Sequence, residues 1–257
     1  LDRMISTIGF LTRIPVKTSS KFDPNFNKSI VYFPFVGLIL GIIYFMTLYI
    51  GNIIFGSFVG GIFTVTATVF LTGGLHLDGL GDTFDGLYSN RDKERILEIM
   101  KDSRLGTNAL LGIMINLILK IGMIDLLVKN NMLYVILIMP IVGRLALCLS
   151  CYKGKPAREQ GMGNVFIGKI QKKDFIITMI SGFGFIFLYT ISFYNLMIFF
   201  LTAISALIVV TIVYFYRNHV YKKIDGITGD ILGAICELSE TLYLIVLFLG
   251  VKIWLSI

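Results

Sequence analysis

Ile30-Val-Tyr-Phe-Pro-Phe-Val-Gly-Leu-Ile-Leu-Gly-Ile-Ile-Tyr-Phe-Met-Thr-Leu-Tyr-Ile50 contains no charged side chain, and neither does Ile53–Leu75 just after it. A helix needs about 20 apolar residues to cross a bilayer, so each stretch is long enough to be a span. Working outward, further apolar runs cover Leu105–Leu127, Met132–Cys151, Phe175–Ile191, Leu196–Tyr216 and Ile231–Val251. The chain is 56% apolar and only 15% charged, against about 25% charged for a soluble domain. A soluble fold has nowhere to hide that much apolar surface. The fold class expected is therefore all-α, a polytopic integral membrane protein of about seven transmembrane helices. Residues 1–257 form a single membrane domain with loops at 76–104, 152–174 and 217–230.

Charge assigns the sides. Nineteen of the 23 lysines and arginines fall in four segments. The N-terminal segment holds Arg3, Arg13, Lys17, Lys21 and Lys28; the first loop holds Arg91, Lys93, Arg95, Lys101 and Arg104. The second loop holds Lys153, Lys155, Arg158, Lys169, Lys172 and Lys173; the third holds Arg217, Lys222 and Lys223. With seven spans all four segments share one side, and the opposite connections, near Gly51, Lys129 and Phe193, are short. Basic loops face the cytoplasm, which predicts a cytoplasmic N-terminus, a multi-pass plasma (inner) membrane protein, and a site facing the cytoplasm. Residues 1–28 read as a retained cytoplasmic stretch rather than a signal peptide. In this setting the net charge of +7 orients the protein and does not point to nucleic acid. Cys148, Cys151 and Cys236 lie in or beside apolar runs and read as small core residues. Gly37-x-x-x-Gly41 and Gly56-x-x-x-Gly60 are spaced for close helix approach.

The chemistry concentrates in His76-Leu-Asp-Gly-Leu-Gly-Asp-Thr-Phe-Asp-Gly86. Asp78, Asp82 and Asp85 stand at i, i+4 and i+7, within about 60° of one another on a helix. Carboxylates so close repel unless a cation intervenes, and hard oxygen donors suit Mg²⁺ or Mn²⁺. His76 beside them is a candidate ligand, base or orienting donor. Ser89-x-x-Asp92 reads as a capping box opening an amphipathic helix that carries Ile96, Leu97, Ile99 and Met100. Lys101 and Arg104 at its end could hold phosphate oxygens. Arg144 sits inside a span, where an arginine is costly and marks function by default. Arg158 with Gly161 and Gly163 could cradle a phosphate. In the last span Asp230, Glu237 and Glu240 share one face within about 80°. Glu237 and Glu240, at membrane depth, need a cation, a metal or Arg144 as counterion.

The blocks 76–86, Glu98-Ile-Met-Lys-Asp-Ser-Arg-Leu-Gly106 and Gly226-Ile-Thr-Gly-Asp-Ile-Leu-Gly-Ala234 resemble those of the cobalamin synthase (adenosylcobinamide-GDP ribazoletransferase) family. Phe10-Leu-Thr-Arg-Ile-Pro-Val16 is similar to its amino-terminal signature. The resemblance runs from Phe10 to about Glu240. It implies an enzyme that joins adenosylcobinamide-GDP to α-ribazole or its 5′-phosphate, releases GMP, and uses Mg²⁺. On that footing the metal ligands expected are Asp78, Asp82, Asp85, Glu237 and Glu240. The catalytic set is Asp82, Asp85, His76, Lys101, Arg104 and Arg144, with Asp85 or His76 as base. Arg158, Gly161, Gly163, Thr228 and Asp230 are expected to bind substrate. The partners expected are the corrinoid nucleotide, α-ribazole and the bilayer, without nucleic acid; a homo-oligomer is left open. Two other readings are a CDP-alcohol phosphotransferase, for which only Asp82-x-x-Asp85-Gly86 matches, and a cation-coupled transporter built on Arg144, Glu237 and Glu240.

Overall fold

In a computed structural model of the chain, residues 2–17 and 23–255 are described; Lys21 of the basic N-terminal segment lies outside the described residues. The helices are α1 (Asp2–Leu11), α2 (Phe33–Phe55), α3 (Ser57–Thr72), α4 (Leu75–Leu87), α5 (Lys93–Ile99), α6 (Thr107–Lys129), α7 (Val135–Cys151), α8 (Lys172–Phe193), α9 (Leu196–Ile224) and α10 (Gly229–Leu255). Short 3-10 turns cover Phe26–Tyr32 and Met162–Val165. The described residues form no strand, only an isolated parallel bridge between Pro156 and Ile227. The fold is thus an all-α, multi-pass membrane bundle.

Among the described residues, five helical segments are long and apolar enough to cross a membrane alone. The expectation of seven is reached only by adding α3, 16 residues long, and α7, 17 residues long. The second apolar run does not continue to Leu75 as one helix. Gly73 and Gly74 take φ of +63° and +70°, a left-handed conformation open mainly to glycine, and α4 leaves α3 at 92°. We take α3 as the spanning part and α4 as lying across the bundle end, against the first turns of α6 and α10. The loop 76–104 is accordingly mostly helix. The third loop is shorter than expected, because α9 continues to Ile224; the Arg217 guanidinium lies over the rings of Tyr214 and Tyr221. The capping expectation also shifts by three residues. Asp92, not Ser89, caps α5, accepting from Arg95 N at 3.0 Å.

α7 forms the centre. Every residue of it but Leu149 is buried, as a helix apolar on all sides must be. α2 crosses it backbone to backbone: a Cβ at Gly37 would lie 2.9 Å from Ile141 Cα, and one at Gly41 2.1 Å from Leu137 O. At the other pair of glycines, Gly60 packs on Gly51 and Asn52, while Gly56 is the break between α2 and α3. Outward faces stay apolar, with Ile118, Leu188 and Phe215 exposed, the surface a lipid phase would cover. Contacts confirm that the basic segments share one end. Asn27 Nδ2 donates to Lys169 O at 2.7 Å, Lys223 Nζ to Leu87 O at 3.0 Å, and Lys93 pairs with Asp225 at 3.0 Å. At the opposite end the Tyr134 and Tyr194 rings stand 4.5 Å apart.

Candidate active site

α4 and α10 meet through glycines. A Cβ on Gly79 would fall 2.7 Å from Asp230 O, and one on Gly233 2.9 Å from His76 O. No larger residue leaves the two backbones this close. The contact carries Asp78 of α4 beside Asp230 of α10, residues 152 positions apart in sequence. Both line a cavity at the basic end, with His76, Arg158 and Gly163 on its wall and an empty volume of about 750 Å³, counting the part open to solvent. The rest of the wall is apolar and aromatic.

The polar rim is organised around Asp230. Arg158 Nη2 donates to Asp230 Oδ2 at 2.9 Å, and Thr228 Oγ1 donates to the same oxygen at 3.1 Å. Thr228 is itself buried and caps α10, accepting from Ile231 N at 3.2 Å, so it serves the helix and the Asp230 carboxylate rather than facing the cavity. Arg158 Nη1 is buried without a protein partner. Gly161 lies against the Arg158 guanidinium, and Gly163 packs on Gly229. The structure thus brings Arg158, Gly161 and Gly163 together beside the cavity, with one guanidinium nitrogen left without a protein partner.

The three aspartates of α4 separate in role. Asp78 is exposed and lines the cavity. Asp82 is half-buried; burial first, then the charges of Asp78, Asp230 and Asp85, push its carboxyl up to about 7. Asp85 also serves the fold: its two oxygens accept from Gly106 N at 2.7 Å and Ala109 N at 2.8 Å, satisfying amides that open α6. His76 is buried, and desolvation followed by the nearby Arg144 charge pushes its imidazole down to about 3. Lys101 and Arg104 are not brought to this cavity. Both are exposed, and Arg104 turns back onto Asp102 at 2.5 Å.

The largest correction lies deeper. Glu237 and Glu240, expected as metal ligands, are paired with cations in an ion cluster at the core. Lys120 Nζ meets Glu237 Oε2 at 2.7 Å and Glu240 Oε2 at 3.1 Å, and Arg144 Nη1 meets Glu240 Oε1 at 2.5 Å. Lys120 and Arg144 are fully buried. Two cations balance two carboxylates, which is how such charges are tolerated at depth. Asn116 joins by donating to Glu237 at 3.2 Å and accepting from Thr241 at 2.7 Å. Arg144 thus pairs as one reading of the sequence allowed, and it is fully buried. Lys120 and Asn116 were not identified as its companions; their i, i+4 spacing in an otherwise apolar run was the available signal.

Mg²⁺ can be tested against these residues. Among the described residues no three His, Cys, Asp or Glu side chains converge as a closed metal cage would need. Mg²⁺, however, is usually held by one or two carboxylates plus substrate phosphates. Asp78 and Asp82, one turn apart on α4 and destabilised by like charge, fit that donor set.

Fold and cavity together define a multi-pass membrane protein with a carboxylate- and arginine-rimmed cavity at one end of its bundle. The family model described as cobalamin-5-phosphate synthase matches residues 3–248, so the chain belongs to that family. It is 48% identical over 251 residues to an adenosylcobinamide-GDP ribazoletransferase of Clostridioides difficile (strain 630), covering 97% of this chain and 98% of the relative. Proteins of the same name from Alkaliphilus metalliredigens and Clostridium acetobutylicum are 44% and 42% identical, covering 97% and 96% of this chain and 96% and 95% of the relatives. No solved structure matches the chain.

Proposed function

We propose that this chain joins adenosylcobinamide-GDP to α-ribazole, or to its 5′-phosphate, and releases GMP. The observation that carries the reading is the Gly79–Gly233 contact, which sets Asp78 of α4 beside the Arg158–Asp230 pair on one cavity, with Asp82 one turn further along α4. The reaction is a displacement at the phosphorus that bears the cobinamide. The ribazole hydroxyl gives up its proton and forms a new P–O bond. The pyrophosphate P–O bond breaks, and GMP leaves with the bonding electrons.

Such a transfer has little covalent chemistry for a protein to perform; positioning and charge stabilisation do most of it. Arg158, with a buried and unpartnered Nη1, binds a phosphate oxygen. Asp230 fixes that guanidinium. Asp78, exposed on the cavity wall, receives the hydroxyl proton or orients the hydroxyl. Asp78 and Asp82 would hold Mg²⁺, which when bound neutralises charge on the phosphate oxygens and the leaving group. Arg144, Lys120, Glu237 and Glu240 hold α6, α7 and α10 together, so that α10 presents Asp230 in register with α4. The basic end faces the cytoplasm, by the charge asymmetry of the loops, and the membrane is the plasma membrane.

The test is direct. Purified protein in detergent is incubated with adenosylcobinamide-GDP and α-ribazole, and GMP is followed by chromatography with Mg²⁺ or with EDTA. GMP appearing only with both substrates and Mg²⁺ is expected. GMP release that ignores ribazole, or persists in EDTA, would contradict the acceptor or the metal assignment respectively.

A further inference from the structure

The cavity is polar at one side only. Asp78, Asp230 and Arg158 stand together, while Phe10, Phe33, Leu147, Met162 and Phe166 make much of the remaining wall. Phe166 anchors an aromatic cluster, with ring centroids 5.7 Å from Phe10, 5.7 Å from Phe26 and 5.1 Å from Phe33. Such a wall suits a flat aromatic ligand met edge to face.

Two substrates compete for this space under the reaction proposed above, on which this inference rests. The corrinoid nucleotide carries a macrocycle fringed with amides, too large and too polar for a largely apolar cavity of about 750 Å³. Its guanine has donors and acceptors along its edges. Away from the Asp78, Asp230, Arg158 and His76 side, none of the described residues on the wall is Asn, Gln, Ser, Thr or Tyr, so a guanine laid along the aromatic side would find no amide or hydroxyl to read its edges. A buried polar edge without partners is costly. Ribazole carries a benzimidazole, flat and mostly apolar, on a ribose that needs polar company. That division of polarity is the cavity's own.

We propose that this cavity takes the azole base of the acceptor nucleoside, directing its ribose to Asp78 and Asp230, and that Phe10 and Phe166 set which base is accepted. The corrinoid then approaches from the open acidic side of α4, outside the aromatic end.

The experiment uses full-length protein in membranes, with Phe10→Ala and Phe166→Leu. Initial GMP release is measured with ribosides of benzimidazole and 5,6-dimethylbenzimidazole, varying riboside and corrinoid nucleotide in turn. The expected result is a rise of about tenfold in riboside KM, the scale of one lost aromatic contact. The preference for the methylated base narrows, while the KM for the corrinoid nucleotide stays within about twofold. A rise in corrinoid KM with riboside KM unchanged would overturn the proposal, and so would unchanged constants for both, as for a cavity filled by lipid. Phe10 is partly exposed, so its variant keeps the test open if Phe166→Leu fails to fold. Equilibrium dialysis of the dimethylated riboside reads the cavity independently of turnover. Binding that Phe10→Ala weakens, in a wild type releasing no GMP, would sink the activity and spare the cavity; no binding at all would sink the cavity assignment.

Discussion

Lys120→Met isolates the core ion cluster. Lys120 Nζ touches both Glu237 at 2.7 Å and Glu240 at 3.1 Å. Without it Glu240 keeps Arg144 at 2.5 Å, but Glu237 keeps only the Asn116 amide at 3.2 Å. One buried carboxylate is thereby left without a cation, and orphaning a buried charge costs about 3–5 kcal/mol. Methionine fills the volume, so little of that loss is cavity. The second step is Lys120→Met with Glu237→Gln, which removes the orphaned charge and leaves a matched Arg144–Glu240 pair. It should recover at least about half of the loss, some 2 kcal/mol. Unfolding in mixed detergent, followed by tryptophan fluorescence or by retention on size exclusion, reads both variants. A Lys120→Met protein as stable as wild type would refute the reasoning. So would a double variant no better than the single one, because the loss would then not arise from Glu237.

Gly79→Ala puts a methyl 2.7 Å from Asp230 O; it should push α4 from α10 and cost turnover with about 1–3 kcal/mol of stability, and crosslinking across that contact checks it. Asp85→Ala removes the cap of α6 and should cost about 1–2 kcal/mol, its activity tracking the folded fraction measured by size exclusion. In EDTA, ionising Asp82 works against folding, because its pKa is raised in the fold to about 7 from 3.8. Wild type should therefore lose thermal stability as pH rises through that window, and Asp82→Asn should lose less. Cysteines placed at Lys155 and Asn130 should label from opposite sides of sealed vesicles; the native Cys148, Cys151 and Cys236 are buried and should stay silent.

The spans were legible because lipid imposes a simple rule, and the gathering of the basic segments at one end because Lys and Arg are kept to one set of loops. Hydropathy failed where a turn is itself apolar. Gly73-Gly74 carries no charge, so the apolar run passed through a 92° bend and appeared as one span. It failed again at Arg217, Lys222 and Lys223, which ended the apolar window but not α9. Helical periodicity put Asp78, Asp82 and Asp85 on one face, and α4 is a helix over all three. It gave no sign that Gly106, 21 residues later, returns to claim Asp85. The same periodicity grouped Asp230 with Glu237 and Glu240. Asp230 opens α10 at the cavity, while the two glutamates lie deeper against Lys120 and Arg144. Spacing along one helix shows which groups share a face, and the neighbour decides whether they are a site or a brace.

The account centres on the α4 carboxylates beside Arg158 and Asp230, and GMP release by Asp82→Asn tests it most directly. The substitution keeps the shape and removes a charge that its neighbours oppose, so the protein should stay folded and inserted. Turnover with adenosylcobinamide-GDP, α-ribazole and Mg²⁺ should fall at least about 100-fold. Near-normal turnover in the folded variant would contradict the account.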